Sequence, residues 1–97
     1  MQELSDDAET VGFDPGRRYE LAPDVALRPE TFGALAYNYA NRRLTFLRSV
    51  ALTELVRSLD GFDSAGDAVR ASVPNDEQTS YLRALASLAR SGMIRAC

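Results

Sequence analysis

LRPETFGALAYNYANRRLTFL, residues 27–47, is the stretch that decides the fold. Its first half alternates large and small residues. Leu35, Tyr37 and Tyr39 fall on one face of a strand over residues 32–39, and Phe32, Ala34 and Ala36 on the other. Period-two alternation marks a strand with one face buried, and the two tyrosines read as its core side. Asn41 tolerates a positive φ, so Asn41-Arg42-Arg43 suits a tight turn with a solvated surface. A further strand covers residues 44–48, with Leu44 and Phe46 on one face and Thr45 and Leu47 on the other.

Upstream, Tyr19, Leu21, Val25 and Leu27 alternate in the same way around a bend at Ala22-Pro23-Asp24. Proline cannot donate to a ladder, which makes this first strand an interrupted or edge strand. Residues 1–16 are acidic, carry few large apolar side chains and end in the turn signal Asp14-Pro15-Gly16. They read as a flexible acidic tail ahead of a domain over residues 17–97, with Val11 and Phe13 as the exceptions, suited either to a short added strand or to packing on the domain edge.

Downstream the period changes to that of helices. Ser49 is an N-cap, and Leu52, Leu55, Val56 and Leu59 form one stripe that ends at Asp60-Gly61. Ser64 caps a second helix on Ala65, Ala68 and Val69; Gly66 weakens it by about 1 kcal/mol. Pro74-Asn75 breaks the chain, and Asn75 or Asp76 caps a third helix with Tyr81, Leu82, Leu85, Leu88 and Ala89 as its stripe. Ser91-Gly92 ends it, and Met93 and Ile94 pack back on the core. The order is βββααα: an α+β, winged helix-turn-helix-like fold, with an N-terminal three-stranded antiparallel sheet followed by three helices.

Composition limits the chemistry. The 97 residues suit one domain, with 45 % apolar and 26 % charged side chains. There is no histidine, every basic residue is arginine, and Cys97 is the one cysteine. Disulfides, Cys/His zinc sites, Ser-His-Asp and Cys-His catalysis, lysine Schiff bases and P-loops are excluded within one chain. The 14 Asp and Glu residues sit mostly at helix starts or in the tail, where capping and solvation account for them. The chain reads as no enzyme, with no metal and no cofactor of its own. A net charge of −3 and a pI near 4.8 oppose nucleic acid. No apolar run reaches the roughly 20 residues of a membrane helix, and the acidic start is unlike a signal peptide, so a cytoplasmic location is expected.

The last strand has a neighbour on one side only. Its other edge offers unpaired N–H and C=O groups without the proline, lysine or bulge that usually protects such an edge. Three occupants are compatible with it: the chain's own helix or tail, a second copy in a homodimer, or a peptide added as a strand. Tyr81 is equally suited to core or groove, and Arg48, Arg83 and Arg90 to a groove lining or to water. The alternative is a winged-helix DNA-binding or regulatory domain. Its reading helix would be the third, where Gln78, Thr79 and Ser80 could touch DNA but only Arg83 and Arg90 are basic.

The blocks at residues 27–37 (LRPETFGALAY) and 41–47 (NRRLTFL), with the Leu59-Asp60-Gly61 step, resemble the mycofactocin biosynthesis chaperones. These lie within the precursor-peptide recognition elements, which resemble pyrroloquinoline-quinone biosynthesis protein D. The resemblance covers about residues 16–95; its hairpin motif is specific and its helical half generic. It implies a domain that binds the leader of a ribosomally made precursor peptide and presents it to a radical S-adenosylmethionine maturase. That enzyme holds the iron–sulfur clusters and modifies a C-terminal Val-Tyr. Carried onto this chain, the peptide groove falls on Leu44, Thr45, Phe46, Leu47 and Arg48, and on Tyr81, Leu82, Leu85 and Leu88. Gly66 and the acidic tail depart from the family pattern.

Overall fold

A computed structural model describes residues 13–97. The expected strands and helices are present as an α+β domain, but the strands divide differently. β1 (Tyr19–Leu21), β2 (Val25–Glu30), β3 (Gly33–Asn38) and β4 (Arg43–Leu47) precede α1 (Val50–Ser58), α2 (Ala65–Ser72) and α3 (Gln78–Arg90), and a last strand β5 (Ile94–Ala96) follows. β2, β3 and β4 form an antiparallel sheet in that order. β1 does not continue into it. The chain turns at Asp24, and β1 pairs antiparallel with β5, Tyr19 opposite Ala96 and Leu21 opposite Ile94. The three-stranded sheet expected from residue 17 onward is therefore a two-stranded ribbon plus a three-stranded meander. Met93 and Ile94 do return to the core, as expected, and the strand that begins at Ile94 closes the ribbon.

The inner face of the meander is its small face. Ala34 is 0 % exposed and Ala36 is also buried, whereas Tyr39 is 64 % exposed and Tyr37 half-buried. This reverses the assignment of the tyrosines to the core. α1 packs on β3, and alanines let a helix approach a sheet where tyrosines would hold it off. Tyr37 and Tyr39 instead meet edge to face on the outer side, 5.0 Å between centroids. Leu47 shares the buried face with the alanines, and Leu55, Val56, Leu59, Val69, Leu85 and Leu88 complete the core.

Serine caps act where the sequence places them. The Leu52 N–H donates to Ser49 Oγ (2.9 Å), and the Asp67 N–H to Ser64 Oγ (3.0 Å). The third helix differs. Asn75–Glu77 forms a 3-10 turn, α3 starts without a side-chain cap, and Gln78 Nε2 donates back to the Val73 carbonyl (2.9 Å). Gly92, at φ +83°, ends α3 in a Schellman motif: Met93 N–H donates to Leu88 O (2.8 Å) and Gly92 N–H to Ala89 O (3.1 Å).

Phe13 is buried against Tyr19 (4.9 Å between centroids), and the Pro15 and Arg17 carbonyls accept from the Gly66 and Ala65 N–H groups, both at 2.8 Å. A boundary at residue 16 therefore falls inside packed structure. A Cβ on Gly66 would stand 3.2 Å from the Pro15 carbonyl, so the glycine that weakens α2 also admits this segment. Val11 and the rest of the tail lie outside the described residues. No helix among the described residues is long and apolar enough to cross a membrane.

The turn between β3 and β4 is organised by Asn38, which is buried. Its Oδ1 accepts from the Ala40 and Asn41 N–H groups (2.8 and 3.2 Å), and its Nδ2 donates to the Gly92 carbonyl (2.8 Å). Asn41 does not take the positive φ; Arg42 does, at 63°. Asn41 is engaged as a brace, with Oδ1 accepting from Arg43 N–H (2.9 Å) and Nδ2 donating to Ser91 O (3.1 Å). Two asparagines thus tie the hairpin tip to the end of α3. An Asn38→Ala variant loses all three of its bonds and strands polar groups that had partners. It is expected to lose about 2–3 kcal/mol of stability in a urea titration, with an unchanged m-value; a midpoint equal to that of the parent protein would refute this role.

Candidate functional site

β4 is the last strand of the meander, and among the described residues nothing pairs with its outer edge. Which of its groups face outward follows from one close contact. A Cβ on Gly33 would stand 2.1 Å from the Leu47 carbonyl oxygen, so that carbonyl turns toward β3. The N–H and C=O of one strand residue share a side, and successive residues alternate. Leu47 and Thr45 are therefore spent on the ladder, and Leu44 and Phe46 present their N–H and C=O groups to the open edge.

The side chains on this edge are apolar and exposed. Leu44 is 56 % exposed and Phe46 50 %. The Phe46 ring meets Phe32 edge-on (6.0 Å between centroids), and the Arg48 guanidinium lies 5.8 Å from its centre. On the outer face, Glu30, Phe32, Leu35, Phe46 and Arg48 surround an open hollow of about 540 Å³. On the helix side, Arg48, Ser49, Leu52, Ser80, Tyr81 and Ala84 surround a cleft of about 200 Å³. Arg48 borders both.

Of the candidate residues, Arg48 and Tyr81 come together in the cleft, Phe46 lies exposed against Arg48, and Leu44 is exposed two residues earlier on the edge strand. Thr45 and Leu82 are half-buried and line neither hollow. Leu47, Leu85 and Leu88 are core residues; Leu85 is 0 % and Leu88 4 % exposed. As side chains they are not available to a docked molecule, because the stripe that marks α3 in the sequence is the part that faces inward. The row beside that stripe, Ser80 and Ala84 with Tyr81, lines the cleft. Its i, i+4 spacing was readable, but a serine and an alanine give no hydrophobic signal. In the sequence Ser49 reads as an N-cap and Leu52 as part of the apolar stripe of the first helix, and the outer-face hollow depends on the register Leu35 opposite Phe46, which the sequence does not display. Arg83 and Arg90 line neither hollow.

A model of the peptide chaperone MftB family matches residues 18–95. The peptide chaperone MftB of Mycolicibacterium smegmatis is 42 % identical over 88 residues, covering 90 % of this chain and 86 % of that one. That of Mycobacterium tuberculosis is 41 % identical over 88 residues, covering 90 % and 81 %. That of Mycobacterium ulcerans is 43 % identical over 83 residues, covering 84 % and 76 %. No solved structure matches the chain. The match takes in β1 through Arg95 of β5 and with them the open edge and its flanking cleft, and the chain belongs to the peptide chaperone MftB family.

Proposed function

We propose that this protein is a cytoplasmic peptide chaperone. It takes the leader of a ribosomally synthesised precursor as an added strand on the β4 edge and presents it to a radical S-adenosylmethionine maturase in mycofactocin biosynthesis. The observation that carries the reading is the pair of outward-facing backbone groups at Leu44 and Phe46, next to the cleft of Tyr81. Main-chain pairing supplies affinity that does not depend on catalytic side chains, and the hollows on either side of the edge select sequence. The chemistry then belongs to the maturase and its clusters. The packing of α2 against α3 after the meander supports a winged helix-turn-helix description of the domain.

The DNA-reading alternative is less well supported. Asp76 and Glu77 are exposed directly ahead of α3, the helix that would enter the groove. They would meet phosphate with like charge. Titration of precursor leader into the isotopically labelled protein tests the proposal. The largest amide shifts are expected at residues 44–48 and around Tyr81, at one peptide per chain and with no change to the peptide. Shifts confined to other surfaces, or steeply salt-dependent binding to duplex DNA in their place, would overturn it.

A further inference from the structure

We infer that the strand received at the β4 edge carries two carboxylates about five residues apart, one meeting Arg43 and the other Arg48, with apolar side chains between them. The inference rests on the strand-addition reading and names the chemistry of its guest.

The charge of the chain is segregated. The whole protein is at −3, yet residues 25–48 hold Arg28, Arg42, Arg43 and Arg48 against Glu30 alone. Glu30 is engaged by Arg28, whose Nε lies 3.1 Å from its Oε2. Arg42, Arg43 and Arg48 are exposed and form no ion pair among the described residues. Arg43 opens β4 and Arg48 directly follows it, so the two cations bracket the edge about 17 Å apart at the rise of an extended chain. Between them stand the exposed Leu44 and Phe46. A guest strand of matching length passes both cations while its middle residues lie against the apolar shelf.

The same arrangement disfavours a second copy. Antiparallel self-pairing that sets Leu44 opposite Phe46 brings the Arg43 end of each β4 beside the Arg48 end of the other copy, and like charges held close across strands are destabilising. A basic strand meets the same repulsion. Exposed ion pairs contribute modestly, roughly threefold in affinity each, and they act most on the rate of encounter. They serve to select one peptide among many.

A phage-displayed library of random twelve-residue peptides, selected on the full chain, tests this. Selected peptides are expected to be enriched in Asp or Glu at two positions four to six residues apart and depleted in Lys and Arg. A selected peptide should bind about tenfold more tightly than its Gln-substituted form at low salt. That difference should vanish in the Arg43→Gln/Arg48→Gln double variant, which keeps both side chains polar and exposed, and at about 1 M salt, where the Debye length is about 3 Å. Equal affinity of the acidic and Gln forms, with amide shifts still at Leu44 and Phe46, overturns the carboxylate inference and leaves strand addition standing. A charge preference that survives the double variant overturns the assignment to Arg43 and Arg48. A library that yields no binder, or only binders that shift other surfaces, overturns strand addition and this inference with it.

Discussion

A Gly33→Ala variant is expected to lose about 3 kcal/mol or more of folding stability, the largest loss expected for alanine at any glycine among the described residues. Two causes act at once. Gly33 sits at φ +152°, a conformation that L side chains rarely adopt, and holding alanine there costs roughly 1–3 kcal/mol. The added Cβ also stands 2.1 Å from the Leu47 carbonyl and 2.8 Å from the Ser49 carbonyl. Both are backbone, so no rotamer change relieves the overlap. The Leu47 carbonyl faces β3, and the Ser49 carbonyl accepts from the Thr53 N–H (3.1 Å) and Oγ1 (3.0 Å) at the start of α1. Moving them away separates β4 from β3 and unseats the helix that packs on the sheet. A domain of this size has roughly 5–15 kcal/mol in hand, so the melting temperature should fall by more than about 12 °C. Gly61→Ala is the control: nothing lies within 4 Å of that Cβ, its φ is not positive, and its melt should move little. A Gly33→Ala melt within about 2 °C of the parent protein would show that this close approach is not needed.

That junction also marks the boundary of what residue pattern alone reveals. The β3–β4 hairpin, the two serine-capped helices and the return of Met93 and Ile94 are local features, each written in a few adjacent side chains. The pairing of β1 with β5 is not. It joins Tyr19 to Ala96 through three residues per strand, too few to show a period and too far apart to show a turn. The tyrosines misled for a different reason. A strand with alanines on one face and large aromatics on the other reads as burying the aromatics, because burial of a large side chain gains more. Here the helix laid across β3 demands small residues, and the larger ones are left for the outer surface. The same geometry accounts for the site. The leucines of α3 announce themselves and are used up in the core, while Ser80 and Ala84, which line the cleft, have no pattern that separates them from any exposed helix position. Arg42 takes the left-handed turn position because Asn41, the better residue for it, is occupied in bracing the hairpin against Ser91.

A Phe46→Pro variant should fold and yet lose leader binding by about 30-fold or more. Proline is tolerated on an edge strand where the missing N–H would have faced solvent. The alternation fixed by Leu47 puts the Phe46 N–H on that side, so no bond within the sheet is removed. An added strand, in contrast, would lose one donor and be left with a carbonyl shut off from water. The lost bond and the stranded acceptor together amount to about 2–4 kcal/mol, which corresponds to roughly 30- to 1,000-fold in affinity. Part of any loss comes from the ring, which touches Phe32 and Arg48, and Phe46→Ala separates the two effects. It keeps the N–H, removes the ring, and should cost less than about tenfold. Thr45→Pro supplies the opposite contrast. Its N–H belongs to the ladder with Ala36, so that variant should lose stability before binding can be measured. The ordering of the three variants is what strand addition requires. A Phe46→Pro protein with a native melt and undiminished affinity for the leader would mean that the peptide is held by side chains alone, and that the open backbone of β4 has another use.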